Sequence, residues 1–188
     1  MYKLRIKDRF PCSAEHTYTL TTMGFEGIEK YLPNIKEIKT ISREKLDSHI
    51  EKWHLRFDAE SAIPGIARIV FRPDMLRWEE VLICNSRELK VEWSIIPHYF
   101  KEYIFCSGET SYLDSDDGSI IDIKGIINIK PFRVLGIPEP AMKKIIETIE
   151  PFIAKVVEPN VLRFYRALKK MMDDKGCLYV EHISNFDE

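Results

Sequence analysis

The chain has 188 residues, of which 45% are hydrophobic and 31% charged, and a formal net charge of −2. That length bounds one domain with at most a modest tail, and so even a charge balance offers nucleic acid or an anionic membrane no electrostatic grip. Residues 1–25 lack the basic start and apolar core of a secretory leader, and no apolar run approaches the ~18 residues of a membrane span. The expectation is a cytoplasmic protein without stable membrane insertion. Cys12, Cys84, Cys106 and Cys177 stand apart, without the close spacing of a metal site or redox pair, so free thiols are expected.

Residues 2–10 alternate: Tyr2, Leu4, Ile6 and Phe10 fall on one side, Lys3, Arg5, Lys7 and Arg9 on the other. This is the period of a half-buried strand with a solvated basic face, which also discourages edge-to-edge pairing. Pro11 ends it, and Ser13 sits where a helix N-cap belongs. Two short helices are predicted, over about 14–23 and 25–32, with Pro33-Asn34 closing the second. A loose strand follows at 35–43, then a turn at Asp47-Ser48 and a strand in which Trp53, Leu55 and Phe57 share a face. Residues 66–76 fit neither period clearly.

Further strands are predicted at 78–84 and 89–96, joined by a turn at 85–87, and at 100–113. Asp117-Gly118 is a hairpin signal, because both residues tolerate the positive φ of a two-residue loop. Its partner strand, 119–130, places Ile121, Ile123, Ile127 and Ile129 on one face, with Gly125 where a sheet bends. From 140 to 175 the period changes. Met142, Ile145, Ile146, Ile149, Phe152 and Ile153, then Val156, Asn160, Phe164 and Leu168, recur at steps of mostly three and four, the face of a long helix. Pro151 and Pro159 lie inside it, and each removes an amide donor, so kinks or a short break are expected there. Residues 176–188 read as a tail.

This element order resembles the helix-grip fold of the START-related superfamily (SRPBCC), which includes birch-pollen-allergen-like and polyketide cyclase/dehydrase-like proteins. The resemblance covers residues 1–175 and rests on YKLRIKDRFPCSAEHTYTL at the start, RWEEVLI and LKVEWSIIP in mid-sheet, and MKKIIETIEPFIAKVVEPNVLRFYRALKK at the end. It implies an α+β domain in which a curved antiparallel sheet of about seven strands wraps a long C-terminal helix, with two short helices between strands 1 and 2. It also implies an elongated apolar pocket between sheet and helix. These are architectural features, with no catalytic signature among them.

A twisted sheet of this length curls, and one helix about 10 Å across leaves room in the curl unless large side chains fill it. The expected lining is Trp53, Phe57, Trp93, Phe105, Tyr112 and Ile123 from the sheet, with Ile149, Ile153, Val156, Asn160 and Phe164 from the helix. The partner expected there is a hydrophobic small molecule (a lipid, a sterol-like or a polyketide or aromatic compound), held by a carrier or sensor. A cyclase, aromatase or dehydratase on the same fold is the alternative, and needs an acid/base group inside; His98, Tyr112 and Glu109 are its candidates. A third alternative is a protein-interaction module with a filled core and an apolar patch around 66–76. No cofactor is implied. The histidines, His16, His49, His54, His98 and His182, form no ligand-spaced pair, and Asp114–Gly118 departs from a calcium loop, so no metal site is expected.

Overall fold

The structure is a computed structural model that describes residues 1–23, 28–33, 35–59, 76–133, 136 and 138–175; side chains at 23, 145, 148–160 and 172–175 are outside that description. Residues 60–75 and 176–188 also lie outside it, and with them the expectations for 66–76 and for the tail.

The elements follow the predicted order. Strand β1 (Tyr2–Phe10) leads to helix α1 (Ala14–Met23) and a 3-10 turn at Ile28–Tyr31. Then come β2 (Ile35–Lys45), β3 (Ile50–Ala59), β4 (Arg77–Asn85), β5 (Lys90–Pro97), β6 (Ile104–Ser115), β7 (Gly118–Ile129) and helix α2 (Glu139–Lys175). All seven strands form one antiparallel sheet in the order β1-β7-β6-β5-β4-β3-β2. The last strand therefore returns beside the first, and the remaining order is a simple meander. With α2 closing over a curved sheet, this is the helix-grip arrangement.

Local chemistry sets these boundaries. Ser13 caps α1: its Oγ accepts the His16 backbone N–H at 3.3 Å, and its carbonyl accepts that of Thr17 at 3.0 Å. The β6–β7 hairpin turns at Asp116 and Asp117, one residue earlier than expected, and Gly118 opens β7 paired to Ser115. Glycine is required there. Its φ is +132°, and a Cβ would stand 2.1 Å from the Phe10 carbonyl oxygen. Strand β2 carries irregularities at Ile35/Glu37 and Thr40/Ser42, the loose alternation visible in its sequence.

Helix α2 runs without a break from Glu139 to Lys175, through both Pro151 and Pro159. A proline deletes one amide bond, and the flanking turns hold because the helix is docked at both ends. Near its start, Met142 packs with Ile104, Ile129 and Phe132. Near its end, Leu168 and Met171 are fully buried in the main core, beside β1, β7 and the 3-10 turn. Burying each such side chain is worth roughly 1.5–3 kcal/mol, enough to offset a lost helix bond.

Candidate functional site

In an antiparallel ladder, residues directly opposite one another share a face, so the register fixes what looks toward α2. One inward row reads Leu55, Glu80, Ile95, Cys106, Ile127, Tyr2. The next reads Trp53, Leu82, Trp93, Gly108, Gly125, Leu4, and a third Glu51, Cys84, Val91, Thr110, Ile123, Ile6. Phe57 and Trp78 pair beyond the first row, and Tyr112, Ile121 and Asp8 beyond the third.

The two sides of this face differ. Toward β6, β7 and β1 it is solid: Ile121 and Ile127 have no exposed surface, and Ile123 and Leu4 almost none. On β4 and β5, Trp78, Glu80, Trp93 and Ile95 keep accessible surface, whereas Leu82, Cys84 and Val91 farther along the same strands are buried, as are Leu55 and Cys106, which flank Glu80 and Ile95 in their row.

Trp93 lies against the wall and does not stand up from it. A Cβ on Gly108 would fall 2.5 Å from its Cζ2, and one on Gly125 2.5 Å from its Cη2. The two glycines face each other across β6 and β7, and Gly108 is opposite Trp93 itself. Missing side chains thus leave a shelf on which the indole rests. Phe57 and Trp78 likewise stack on each other, centroids 5.2 Å apart and planes at 3°.

Glu80 is the ionisable group of this region. It retains some surface, yet surrounding protein desolvates it enough to push its carboxyl up from 4.5 to about 7, against the opposing effect of a Trp78 hydrogen bond. That bond runs from the indole N–H to Glu80 Oε1 at 2.9 Å. Its cross-strand neighbours, Leu55 and Ile95, are apolar. Across the face, Cys106 is pushed up to about 12 by burial and secondarily by the Glu80 charge. Tyr165 of α2 is also raised to about 12, chiefly by burial, with hydrogen bonds to Thr110 and Tyr112 opposing the shift.

Tyr112 itself is buried and raised well above the ordinary tyrosine value by desolvation; its hydroxyl is 2.6 Å from Thr21 Oγ1. Tyr18 packs edge-on against its ring at 5.5 Å. These hydroxyls stay protonated at neutral pH and act as neutral hydrogen-bonding groups. At the rim, Arg43 lies over the Trp53 ring at 4.5 Å and reaches Glu51 at 3.0 Å.

Of the expected lining, Trp53, Phe57, Trp93, Tyr112 and Ile123 are all on the inner face, and Phe164 is half-buried with its ring 5.6 Å from that of Tyr165. Phe105 is a correction. Ile104 and Cys106 take the inward positions of β6, so Phe105 points to the outer face, 40% exposed beneath Lys130. Ile149, Ile153, Val156 and Asn160 are on α2, but their side chains lie outside the described residues.

Among the acid/base candidates, Glu109 is a second correction: it is on the outer face, paired with Lys90 at 2.7 Å. His98 is exposed in the loop after β5, edge-on to Tyr99. Sequence reasoning missed Glu80, although the alternation Trp78, Glu80, Leu82, Cys84 places it among apolar neighbours. Among the described residues, no group of three or more His, Cys, Asp or Glu is placed to hold a metal ion, and no helix is long and apolar enough to cross a membrane.

Several solved structures share this architecture. A protein of Thermus thermophilus superposes with a TM-score of 0.63 at 15% identity, covering 93% of this chain and 99% of that one. The Zhui aromatase/cyclase from a Streptomyces species gives 0.62 at 11% identity, over 92% and 93%. Norcoclaurine synthase from Thalictrum flavum, in complex with dopamine and hydroxybenzaldehyde, gives 0.61 at 13% identity, over 92% and 87%. The chain therefore carries the helix-grip fold that these structures share. No protein-family model matches the chain, and no curated protein does.

Proposed function

We propose that this protein binds a hydrophobic small molecule between α2 and the β4–β5 side of the sheet, as a carrier or sensor. The observation that carries this reading is the state of Glu80. A residue that keeps some accessible surface while its carboxyl is strongly desolvated fits a concave place better than an open surface. Trp93 supports it, because this large side chain reaches along the wall over Gly108 and Gly125. An apolar recess with few polar groups is the usual form of a small-molecule site. Proteins as different as an aromatase/cyclase and norcoclaurine synthase share the fold, which is consistent with such a use.

The test is native mass spectrometry of protein purified from its own host, with denatured extracts analysed in parallel. The reading predicts a bound species of defined mass that is released on denaturation. Protein that is uniformly empty, and that takes up no apolar probe afterwards, would overturn it.

A second reading is favoured by Glu80 alone. A carboxyl poised near pH 7 and facing an apolar recess is suited to give or take a proton, as a cyclase- or dehydratase-type reaction requires. On that reading Glu80→Gln abolishes turnover while leaving binding intact.

A further inference from the structure

The inner face presents carboxylates in three settings. Asp8 receives Lys169 Nζ at 2.9 Å, and the same ammonium lies 4.7 Å from the centre of the Phe10 ring. Glu51 receives both the Nε and Nη2 of Arg43, at 3.0 and 3.2 Å, and Arg43 also covers Trp53. In each case one basic side chain neutralises the acid and caps an aromatic ring. Glu80 has the acid and the aromatic ring without the cation. Among the described residues its partner is the neutral Trp78 N–H, its cross-strand neighbours are Leu55 and Ile95, and the polar groups that feel its charge are Cys106 and Tyr165.

Burying an acid beside apolar side chains is costly unless a counter-charge arrives. Trp78 leaves the carboxyl its second oxygen and most of its accepting capacity, and its stacked pair with Phe57 supplies aromatic surface beside that carboxyl. A carboxylate bordered by aromatic surface is a setting for a protonated amine, which takes a charge-assisted hydrogen bond on one side and ring attraction on the other. We infer that the ligand of this recess is a hydrophobic amine, its ammonium paired with Glu80 beside Trp78 and its apolar body lying over Ile95 and Trp93. This inference rests on the binding reading above and gives that site a substrate class. It requires no group transfer and no bond to be made or broken.

The experiment uses matched probes that differ only in the polar head: 2-(2-naphthyl)ethylamine against 2-(2-naphthyl)ethanol, and octylamine against octanol. Binding to the full chain at pH 7.5 is measured by calorimetry, in the wild type, in Glu80→Gln and in the outer-face control Glu109→Gln. The expected result is a preference of about tenfold or more for each amine over its alcohol, the size of a charge-assisted hydrogen bond. That preference falls to near unity in Glu80→Gln and survives in Glu109→Gln.

A second measurement follows the Glu80 carboxyl by carbon NMR in the wild type, where no variant has to fold. The amine is expected to move its titration to lower pH, and the alcohol to leave it or raise it. Equal binding of amine and alcohol, or an amine preference that persists in Glu80→Gln, would overturn the amine inference and leave the recess standing. If neither member of either pair binds, both the recess and the inference fall.

Discussion

The β7–β1 and β4–β5 sides of one inner face are built from the same alternating pattern and end in different states. On the first, Ile121, Ile123, Leu4 and Ile6 meet Phe10, Tyr165 and Leu168 and leave almost no accessible surface. Its inward carboxylate, Asp8, is matched by Lys169 from α2. On the second, Leu82, Cys84 and Val91 are buried as well, but Trp78, Glu80, Trp93 and Ile95 keep surface, and the inward carboxylate has no described cation. Strand periodicity decides which side chains face inward, whereas the partner across the gap decides whether they meet anything. Among the described residues, α2 lies on β1, β7 and the 3-10 turn, and the inner face keeps surface around Glu80.

Mutations can break this comparison, and the largest effect is expected in the solid half. Leu168→Ala removes a side chain with no exposed surface from the main core and should cost about 2–5 kcal/mol in urea unfolding. Ile95→Ala on the accessible side should cost less than about 1 kcal/mol and change probe binding instead. Comparable losses at the two sites would remove the distinction.

Gly125→Ala comes next. Its new Cβ would collide with the Trp93 ring, so the indole must lift off its shelf, at about 1–3 kcal/mol. Lifting also moves the ring into the proposed recess. Weakened binding of an apolar probe beyond the stability loss is therefore expected, by equilibrium unfolding and probe titration on the same sample.

The pH dependence of Glu80 sharpens the comparison. Its carboxyl binds a proton more tightly folded, at about 7, than unfolded, at 4.5, so the cost of ionising it appears as pH rises between those values. Below 4.5 both states are protonated and the residue is neutral to stability. Glu80→Gln, which keeps an oxygen for the Trp78 N–H, should therefore stabilise the protein by on the order of 2 kcal/mol at pH 8 and change little at pH 4. A variant equally stable to wild type at both pH values would show that the carboxyl is not desolvated. The smallest effect is expected outside the face altogether: Glu109→Gln breaks an exposed pair with Lys90 and should leave the urea midpoint essentially where it is in the wild type.

The architecture was legible in the sequence because most strands carry a period-two signal, β2 being the loose one, and most turns their own chemistry; β1 is found where the Tyr2, Leu4, Ile6, Phe10 alternation put it. The site was less legible. Phe105 looked inward because it is aromatic, but parity in β6 is set by the hairpin register that places Cys106 opposite Ile127. Glu80 and Asp8 were passed over for the opposite reason. A charge on an apolar stripe reads as an interruption, and only three-dimensional context shows that one acid meets a lysine while the other meets an indole. The prolines of α2 signalled kinks or a short break; the helix is continuous through both, held by docking at its two ends.

Binding requires space between α2 and the β4–β5 side. Titration with the neutral fluorescent probe N-phenyl-1-naphthylamine tests this in the wild type and in Ile95→Trp, whose larger side chain would occupy the recess. Saturable one-to-one binding that is lost in a folded Ile95→Trp is the predicted result. No saturable binding to the wild type, or binding unchanged in the filled variant, would contradict it.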